Sequence, residues 1–370
     1  MSEWKKYKLG EIASFKTGKL NSNAAVENGI YPFFTCSPIT LAINEYAYDQ
    51  KAILLAGNNA EGNFSIKYYE GKFNAYQRTY IIDSNEQVCD LKFLFYSLKL
   101  CLDNFKSVSQ GTSTRFLTAV ILNNFEILLP SIDNQKRITS ILSSLDDKID
   151  LLHRENATLE AMAETLFRQW FIEEAKEDWK EGKLDDILSV KGGTTPSTKE
   201  SHFWNGGIAW TSPRDVTTLK GVYLFKTEKT ITEDGLREIS SGLLPKGTLL
   251  MSSRAPVGVL AFSEIPIAIN QGYIAILDNK GYAKEFIYLW LKLNMDLVHS
   301  YSNGSTFMEI SKSAFKSLEL QIPSIKEVER FVNGIKPIFE KIRNNEKHIQ
   351  TLIQTRDSLI PKLMSNEIVI

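Results

Sequence analysis

The feature that most constrains the fold of this 370-residue chain is that one stretch of it occurs twice. Residues 111–132 align without a gap with residues 304–325, at an offset of 193 positions. The matched pairs are Gly111 with Gly304, Leu117 with Ile310, Leu122 with Phe315, Phe125 with Leu318, Glu126 with Glu319 and Pro130-Ser131-Ile132 with Pro323-Ser324-Ile325. A period this long lies outside the range of solenoid repeats, so the sequence predicts a tandem duplication.

The start of each copy is repeated as well. Eight of the fifteen residues from Trp4 to Gly18 are identical to those from Trp179 to Gly193, here at an offset of 175. The offset rises from 175 to 193, so the second copy contains 18 extra residues between ends that stayed alike. The middle of each copy has been free to vary while both ends stayed alike. The simplest alternative to a functional repeat is a pair of duplicated domains without functional meaning.

Each copy is predicted to be a mixed globular domain followed by a long helix. Short apolar runs bounded by Gly, Asn or Ser predict strands at 52–56, 80–82, 247–251 and 272–276. Residues 91–105 and 283–297 have helical apolar spacing at corresponding places. The predicted domains are therefore residues 1–130 and 176–323, and the predicted long helices are residues 131–175 and 324–370.

The two long helices are predicted to pack on each other. Apolar residues after each Pro-Ser-Ile recur at steps of three, four and seven, which is typical of coiled coils. About 40 residues at ~1.5 Å each make a rod of roughly 60 Å, longer than a globular core requires. The predicted fold class is α+β, with two mixed α/β domains joined by an antiparallel pair of long helices in internal pseudo-two-fold symmetry. Alternatively, the apolar stripes of the long helices pack against partner proteins. Both arrangements can occur together if they use different faces of the helices.

Composition narrows the classes of function. The chain is 43% apolar and 24% charged, which is typical of a folded protein, and its net charge of −1 predicts no partner. Nucleic-acid binding would need local basic clusters, or a partner that supplies positive charge. Cys36, Cys89 and Cys101 lack CxxC spacing and predict reduced thiols in a cytosolic protein. Apolar runs stay short of ~18 residues, and the first residues lack a signal-peptide pattern.

The sequence offers no positive support for an active site. It has no GxGxxG or Walker A motif, no Pro-Pro dipeptide for an amino-methyltransferase loop, and no Pro-Asp before its Glu-x-Lys triplets. The histidines are scattered at His153, His202, His299 and His348, so they assemble neither a metal site nor a nucleophile triad. We therefore expect a non-catalytic chain that binds no metal or cofactor of its own.

Several local patterns carry a resemblance to a known family. The first is Gly111-Thr112-Ser113-Thr114, repeated as Gly304-Ser305-Thr306, each followed by a Leu/Ile-Pro. The second is a W-x-G-G-x-x-W-x-x-P-x-D stretch from Trp204 to Asp215. The others are Gly247-Thr248-Leu249-Leu250 with Arg254 and Asn270-Gln271-Gly272, and the stretches 31–35 and 71–79. In order, doubling and spacing they resemble the specificity subunit of a type I restriction-modification system. The resemblance covers essentially the whole chain.

The resemblance implies a mechanism. Each globular domain would be a target-recognition domain for one half of a bipartite double-stranded DNA sequence, and the helix pair would set the spacer. The implied partners are two methyltransferase subunits, which bring S-adenosylmethionine and methylate adenine, and in some systems restriction subunits that use ATP and Mg to cut unmodified DNA. The alternatives are a non-enzymatic coiled-coil scaffold and a stand-alone DNA-binding regulator of the same ancestry. A fused methyltransferase or nuclease is disfavoured by the missing motifs.

Candidate DNA contacts follow from the chemistry of base recognition, which uses forked donors and acceptors such as Arg, Asn and Gln. Such residues concentrate in the predicted loops, and the candidates are Asn58, Asn59, Gln77, Arg78, Thr114, Arg115, Arg214, Ser253, Arg254, Asn270 and Gln271. Lys16, Lys19 and Lys191 are candidate phosphate contacts, which position a protein without specifying a sequence.

Structural roles compete with these assignments. The asparagines at 58, 59 and 270 are also suited to turns with left-handed backbone. Gln77 and Gln271 align with each other, which suggests a shared structural role. Arg78 and Arg254 are favoured as DNA contacts because no acidic neighbour is evident in the local sequence.

The end of the first long helix is unusually aromatic. Phe167, Arg168, Trp170 and Phe171 are candidate contacts for a methyltransferase partner. Capping of the first helix against the second globular domain is an equal alternative for the same residues. For the stretch from Trp204 to Trp210, core packing is favoured over base stacking.

Overall fold

The chain divides into two compact units. The structure, a computed structural model, describes residues 4–111, 113–278, 280–304 and 308–368. Unit 1 consists of residues 1–148 and 352–370, and unit 2 of residues 149–351. Each unit thus contains a globular part and a segment of both long helices, and the domain boundaries drawn from the sequence stay a prediction.

The strands of unit 1 include the apolar runs predicted at 52–56 and 80–82. They are β1 (Lys5–Lys8), β2 (Ala13–Thr17), β3 (Tyr31–Phe34), β4 (Leu41–Ile43), β5 (Tyr48–Ala56), β6 (Asn58–Asn59), β7 (Ile66–Ala75), β8 (Thr79–Ser84), β9 (Arg115–Phe116) and β10 (Glu126–Leu129). The main sheet has the order β2-β8-β5-β7-β3-β4, and β1 with β10 and β6 with β9 form separate ribbons. Apolar residues 52–56 of β5 are buried at the centre of this sheet.

Short helices cover the main sheet of unit 1, and a long helix follows them. They are α1 (Leu9–Ile12), α2 (Leu91–Leu100), α3 (Leu102–Val108), α4 (Ala119–Asn124) and the long α5 (Ile132–Arg168). Asp90 caps the N-terminus of α2, because its carboxylate accepts the N–H of Phe93 over 2.8 Å and so satisfies one free donor of the first turn. Its apolar face buries Phe93, Leu94 and Leu98 in the core.

Unit 2 has a different arrangement of strands. They are β11 (Lys180–Lys183), β12 (Ser189–Lys191), β13 (Trp204–Thr211), β14 (Tyr223–Leu224), β15 (Lys229–Ile231), β16 (Leu249–Ser252), β17 (Leu260–Ser263), β18 (Ala268–Ile269), β19 (Tyr273–Asp278) and β20 (Glu319–Ile322). One sheet has the order β12-β19-β16-β17-β14 and another the order β15-β13-β18. The sheet β15-β13-β18 contains Trp210, which is buried. For this tryptophan the structure agrees with the prediction of core packing over base stacking.

The helices of unit 2 flank these sheets. They are α6 (Leu184–Ile187), α7 (Pro213–Thr217), α8 (Glu233–Arg237), α9 (Lys284–Leu293), α10 (Met295–Ser300), α11 (Lys312–Lys316) and the long α12 (Ile325–Met364). The helix α9 corresponds to α2 of unit 1 and buries Phe286, Ile287 and Leu291 in the core.

The long helices α5 and α12 pack in antiparallel orientation. In unit 2, Phe167 lies 5.7 Å from Phe331 between ring centroids, and Asn156 accepts the side-chain N–H of Asn345 over 2.8 Å. The earlier residue of α5, Asn156, thus contacts the later residue of α12, Asn345, and the later residue Phe167 contacts the earlier residue Phe331. The two helices run in opposite directions, so the predicted antiparallel pair is confirmed. The helix α12 continues through Gly334 and Pro337, two residue types that disfavour a helix interior.

The repeated ends of the two copies close their units in the same way. Lys5 to Lys8 pair with Leu129 to Glu126, and Lys180 to Lys183 pair with Ile322 to Glu319, both antiparallel. The next residue, Leu9 or Leu184, donates its backbone N–H to Phe125 or Leu318 over 2.8 and 2.9 Å. The duplication therefore preserves the ribbon from which each long helix leaves.

Candidate nucleic-acid interface

Three of the loops predicted to contact DNA meet at one backbone junction in unit 1. Gly57 donates its N–H to the carbonyl of Arg78 over 2.8 Å and accepts the N–H of Leu117 over 2.9 Å. Beside it β6 pairs with β9, which puts Asn58 opposite Phe116. Phe116 also exchanges both backbone hydrogen bonds with Gln110. We call this group junction 1, formed by Gly57, Asn58, Arg78, Gln110, Arg115, Phe116 and Leu117.

Unit 2 repeats these backbone hydrogen bonds. Ser253 donates its N–H to the carbonyl of Gly272 over 2.8 Å and accepts the N–H of Ile310 over 3.0 Å. Glu309 exchanges both backbone bonds with Asn303 and lies opposite Arg254 in a β-bridge. We call this group junction 2, formed by Ser253, Arg254, Gly272, Asn303, Met308, Glu309 and Ile310.

The two junctions have the same backbone and different side chains. Equivalent positions are Gly57 and Ser253, Asn58 and Arg254, Arg78 and Gly272, Arg115 and Met308, and Phe116 and Glu309. A shared frame with divergent exposed side chains is the arrangement expected where two copies of a domain bind different ligands. Thr112, Ser305, Thr306 and Phe307, which belong to the repeated motifs beside the junctions, lie outside the described residues.

Junction 1 is basic. The guanidinium of Arg78, an exposed residue, lies over the ring of Phe116 at 5.4 Å from its centroid. Arg115 donates from Nη1 to the carbonyl of Ser109 over 3.3 Å. Lys106 lies nearby and donates to the side chain of Asn63 over 2.8 Å. These contacts orient two guanidinium groups and an ammonium group on one region of unit 1.

Junction 2 pairs its arginine with an acid. Nη1 of Arg254 lies 3.9 Å from Oε2 of Glu309, and Nε of Arg214 lies 3.6 Å from Oε2 of Glu228. The local sequence around Arg254 lacks an acidic residue, as the sequence analysis states, but the fold supplies one. Glu309 is distant in the sequence, and the β-bridge between the two residues brings it close.

The two aligned glutamines make similar contacts. Gln77 donates to Oδ1 of Asn21 over 2.8 Å, and Gln271 accepts from the hydroxyl of Thr195 over 2.6 Å. Each glutamine thus holds the loop that follows the first strand of its main sheet, β2 or β12. This supports the structural alternative, although both side chains are exposed.

The asparagines stabilise local turns without left-handed backbone. Oδ1 of Asn59 accepts the N–H groups of Glu61 and Asn63, and Oδ1 of Asn270 accepts that of Gly272. The residues with positive φ include none of Asn58, Asn59 and Asn270, so the left-handed alternative is wrong for these described positions. Asn58 differs from the others, because its buried Oδ1 finds no partner among the described residues.

One predicted contact belongs to the frame instead of the surface. Ser253 is 3% exposed, and its backbone N–H and carbonyl are both used at junction 2. Its assignment as a DNA contact is therefore wrong for the side chain. Thr114 is half-buried, Lys16 and Lys19 are exposed, and Lys191 donates to the carbonyl of Ser241 over 3.5 Å.

The aromatic end of α5 packs inside unit 2. Phe167 is 1% exposed and lies 5.4 Å from Phe286 between ring centroids, and Phe171 lies 4.9 Å from Phe331. Phe167 therefore caps the first long helix against the globular part of unit 2, as the alternative states. Its assignment as a partner contact is wrong, because a buried ring offers no surface to a partner protein. Trp170 lies partly exposed under the guanidinium of Arg330, and Arg168 is exposed.

Phe116 and Glu309 are the residues that the sequence analysis missed. Both sit at the centre of a junction, opposite Asn58 and Arg254. A signal for them is present in the repeat, because residue 116 aligns with residue 309 and the two are chemically unlike.

The described residues contain no cluster of three or more His, Cys, Asp or Glu side chains placed to hold a metal ion. Within the same residues, no helix combines the length and apolar character that crossing a membrane requires.

A family model described as "Type I restriction modification DNA specificity domain" matches residues 1–161 and again residues 176–354. The two matches cover both copies of the duplication.

Curated relatives share this description. The MjaIX specificity subunit of Methanocaldococcus jannaschii is 35% identical over 191 residues, which cover 51% of this chain and 44% of that protein. The EcoDI specificity subunit of Escherichia coli is 38% identical over 169 residues, 45% of this chain and 36% of that protein. The chain thus spans less than half the length of these two relatives. The HindI specificity subunit of Haemophilus influenzae is 22% identical over the whole of both chains.

A solved structure shares the fold. The crystal structure of a type I restriction-modification S subunit from M. genitalium has a TM-score of 0.59, with 18% identity over 98% of this chain and 96% of that chain. At this identity the likeness concerns the fold alone, and it confirms the predicted α+β class with two long helices.

Proposed function

The chain belongs to the family of type I restriction-modification DNA specificity domains, and on this premise we propose that it is the sequence-recognising subunit of such a complex. Each globular part recognises one half of a bipartite double-stranded DNA target. The observation that carries the proposal is the pair of junctions, in which one backbone frame presents different polar and charged side chains in each unit.

Chemistry is assigned to partner subunits. Two methyltransferase subunits supply S-adenosylmethionine and methylate adenine in each half-site, and restriction subunits, where present, use ATP and Mg to cut unmodified DNA. The chain itself acts by binding and holds no cofactor in this scheme. Free thiols at Cys36, Cys89 and Cys101 agree with a cytoplasmic complex.

DNA binding divides into positioning and base recognition. Lys16 and Lys19 are exposed and serve as proposed phosphate contacts, with Lys191 in the corresponding strand of unit 2. Asn59, Thr114 and Arg214 remain proposed contacts beside the junctions. Since the net charge of the chain is only −1, methyltransferase subunits share the neutralisation of phosphates in this proposal.

The long helices act as a ruler in this proposal. Arg168, the exposed last residue of α5, and the half-buried Trp170 and Phe171 that follow it are proposed contacts for a methyltransferase subunit. The antiparallel pair sets the distance between half-sites, because an α-helix has a fixed rise of ~1.5 Å per residue.

The proposal is tested by mapping methyladenine in the host genome with and without this gene. We expect the loss of one split motif with a fixed gap. Retention of every split motif, in cells where the methyltransferase is expressed, would contradict the proposal and favour the scaffold alternative.

The ruler is tested by lengthening both long helices. Insertion of the same whole number of helical turns in α5 and α12 is expected to alter the spacer and to leave the half-site bases unchanged. A matched insertion in one helix only is expected to abolish methylation, because one helix is then longer than the other and the apolar positions of the pair lose their register. Altered half-site bases after the paired insertion would contradict the ruler.

A further inference from the structure

In each junction one face carries a single arginine, which lies against residue 116 in unit 1 and against the equivalent residue 309 in unit 2. Resting on the function proposed above, we propose that this face recognises one guanine in each half-site, through Arg78 in unit 1 and Arg254 in unit 2.

The first step is the geometry of the face in unit 1. Side chains directly opposite each other in an antiparallel pair lie on the same face, and neighbours along a strand alternate. Asn58 and Phe116 therefore share one face, while Asn59 and Arg115 lie on the other. Because the guanidinium of Arg78 lies over the ring of Phe116, Arg78 belongs to the Asn58 face.

The second step is the same face in unit 2. Arg254 lies opposite Glu309, at the positions equivalent to Asn58 and Phe116, with 3.9 Å between Nη1 and Oε2. Gly272 stands where unit 1 has Arg78. Each unit therefore holds one guanidinium against position 116 or 309, but the arginine comes from the turn before β8 in unit 1 and from the segment after β16 in unit 2.

This exchange of positions favours a shared task. The residue that supplies the guanidinium has changed, the residue beneath it has changed from phenylalanine to glutamate, and a guanidinium is present in both units. On the opposite face the chemistry is not kept, because Arg115 of unit 1 corresponds to Met308 of unit 2. A group kept on one face of a variable junction is best explained by a ligand feature that both half-sites have in common.

Guanine is the base that suits a held guanidinium. Its O6 and N7 edge accepts two parallel N–H donors, which the planar fork of arginine supplies. The guanidinium carbon of Arg78 lies 5.4 Å from the centroid of the Phe116 ring, and this cation–π contact uses none of the N–H donors of the arginine. The side chains of Arg254 and Glu309 are 39% and 51% exposed, so their pair is weak and gives way to a base at little cost. A phosphate accepts the same fork, but it does so beside any base, so a phosphate contact would weaken methylation evenly and would not relax one position.

The experiment uses the full chain, expressed with its methyltransferase in the host, and reports the methylated motif base by base. Arg78→Ala is expected to relax one guanine position in one half-site, with discrimination falling on the order of tenfold to a hundredfold. Arg254→Ala is expected to relax one guanine position in the other half-site. In each variant the intact half-site reports that the protein has folded and assembled.

Lysine variants separate base recognition from charge. Arg78→Lys and Arg254→Lys keep the positive charge and lose the fork, so we expect the same relaxation as with alanine. Arg237→Ala, which removes an exposed arginine of α8 paired with Asp234, is the matched control and is expected to leave the motif unchanged.

Three results would overturn the inference while leaving the proposed function intact. They are a half-site that contains no G·C pair, an even loss of methylation at all bases in the alanine variants, and full rescue by lysine. Failure of the proposed function looks different, since deletion of the unaltered gene would then remove no split motif.

Discussion

The carboxylate of Glu346 on α12 accepts the backbone N–H of Val222 over 2.9 Å, and its second oxygen accepts that of Tyr223 over 3.0 Å. A Cβ at Gly221 would lie only 2.5 Å from the carboxylate carbon, so glycine is required for this approach. Burial raises the pKa of Glu346 to about 7, with the charges of Glu160 and Glu264 adding to the rise and the two backbone donors opposing it.

This carboxylate predicts a pH-dependent stability. The ordinary glutamate pKa is 4.5, so between pH 4.5 and 7 the folded protein keeps a proton that the unfolded chain has released. The free energy of unfolding therefore falls as pH rises through this window, and the loss is complete above the folded pKa. We expect Glu346→Gln to flatten that slope in denaturant titrations between pH 5 and 8. Glu340→Gln, an exposed neighbour on α12, is expected to leave it unchanged, and an equally steep slope in Glu346→Gln would contradict the assignment.

Two equivalent glycines predict equal sensitivity in both units. A Cβ on Gly18 would lie 1.9 Å from the carbonyl oxygen of Ala75, and one on Gly193 would lie 1.8 Å from that of Ile269. Because backbone must move to admit a methyl group, we expect Gly18→Ala and Gly193→Ala each to lower the free energy of unfolding by about 2 kcal/mol or more. Urea denaturation measures this, and a neutral result at either position would show that the close approach is absent in solution.

A third glycine predicts the opposite sign. Gly334 lies inside α12, where a Cβ would meet nothing within 4 Å among the described residues. Alanine has the higher helix propensity, so Gly334→Ala is expected to raise the free energy of unfolding by roughly 0.5–1 kcal/mol. The same urea measurements report it, and a loss of stability would indicate that α12 needs flexibility at this point.

A polar pair in the helix seam predicts non-additive mutations. Asn345 donates from Nδ2 to Oδ1 of Asn156, both side chains are more than nine-tenths buried, and Nδ2 of Asn156 finds no partner among the described residues. Asn345→Leu alone is expected to cost about 1–3 kcal/mol, because it strands the buried amide of Asn156. The double variant Asn156→Leu/Asn345→Leu is expected to be more stable than either single variant. Simple addition of the single effects in this double-mutant cycle would contradict a direct interaction.

Cysteine reactivity is predicted to follow burial. Cys89 is 0% exposed, and burial, together with the charge of Asp90, raises the pKa of its thiol to about 12. Since the thiolate is the reacting species, we expect Cys89 to resist iodoacetamide at pH 8 until the protein is denatured. Mass spectrometry of peptides measures the labelling, and rapid modification of Cys89 in the native protein would show that unit 1 opens readily.

The frame of this protein was largely predictable from its sequence. The duplication, the two long helices and their antiparallel pairing follow from an alignment of the chain with itself and from apolar spacing. The family model matches both copies, and the contacts of α5 with α12 in unit 2 are antiparallel. Such features are predictable because they are local or periodic. The helix stripe repeats every few residues, and the closing ribbon from Glu126 or Glu319 is conserved in both copies.

The junctions were predictable only in part, because their contacts join residues far apart in the chain. Loop composition marked Arg78 and Arg254 as candidates, but the phenylalanine beneath one and the glutamate beside the other come from segments distant in the sequence. The same holds for Phe167, whose burial depends on rings from two distant helices. Apolar periodicity and helix or strand propensity depend only on residues close together in the chain, so they can be read from the sequence. The contacts of a side chain with a distant segment depend on how the whole unit packs, so they cannot.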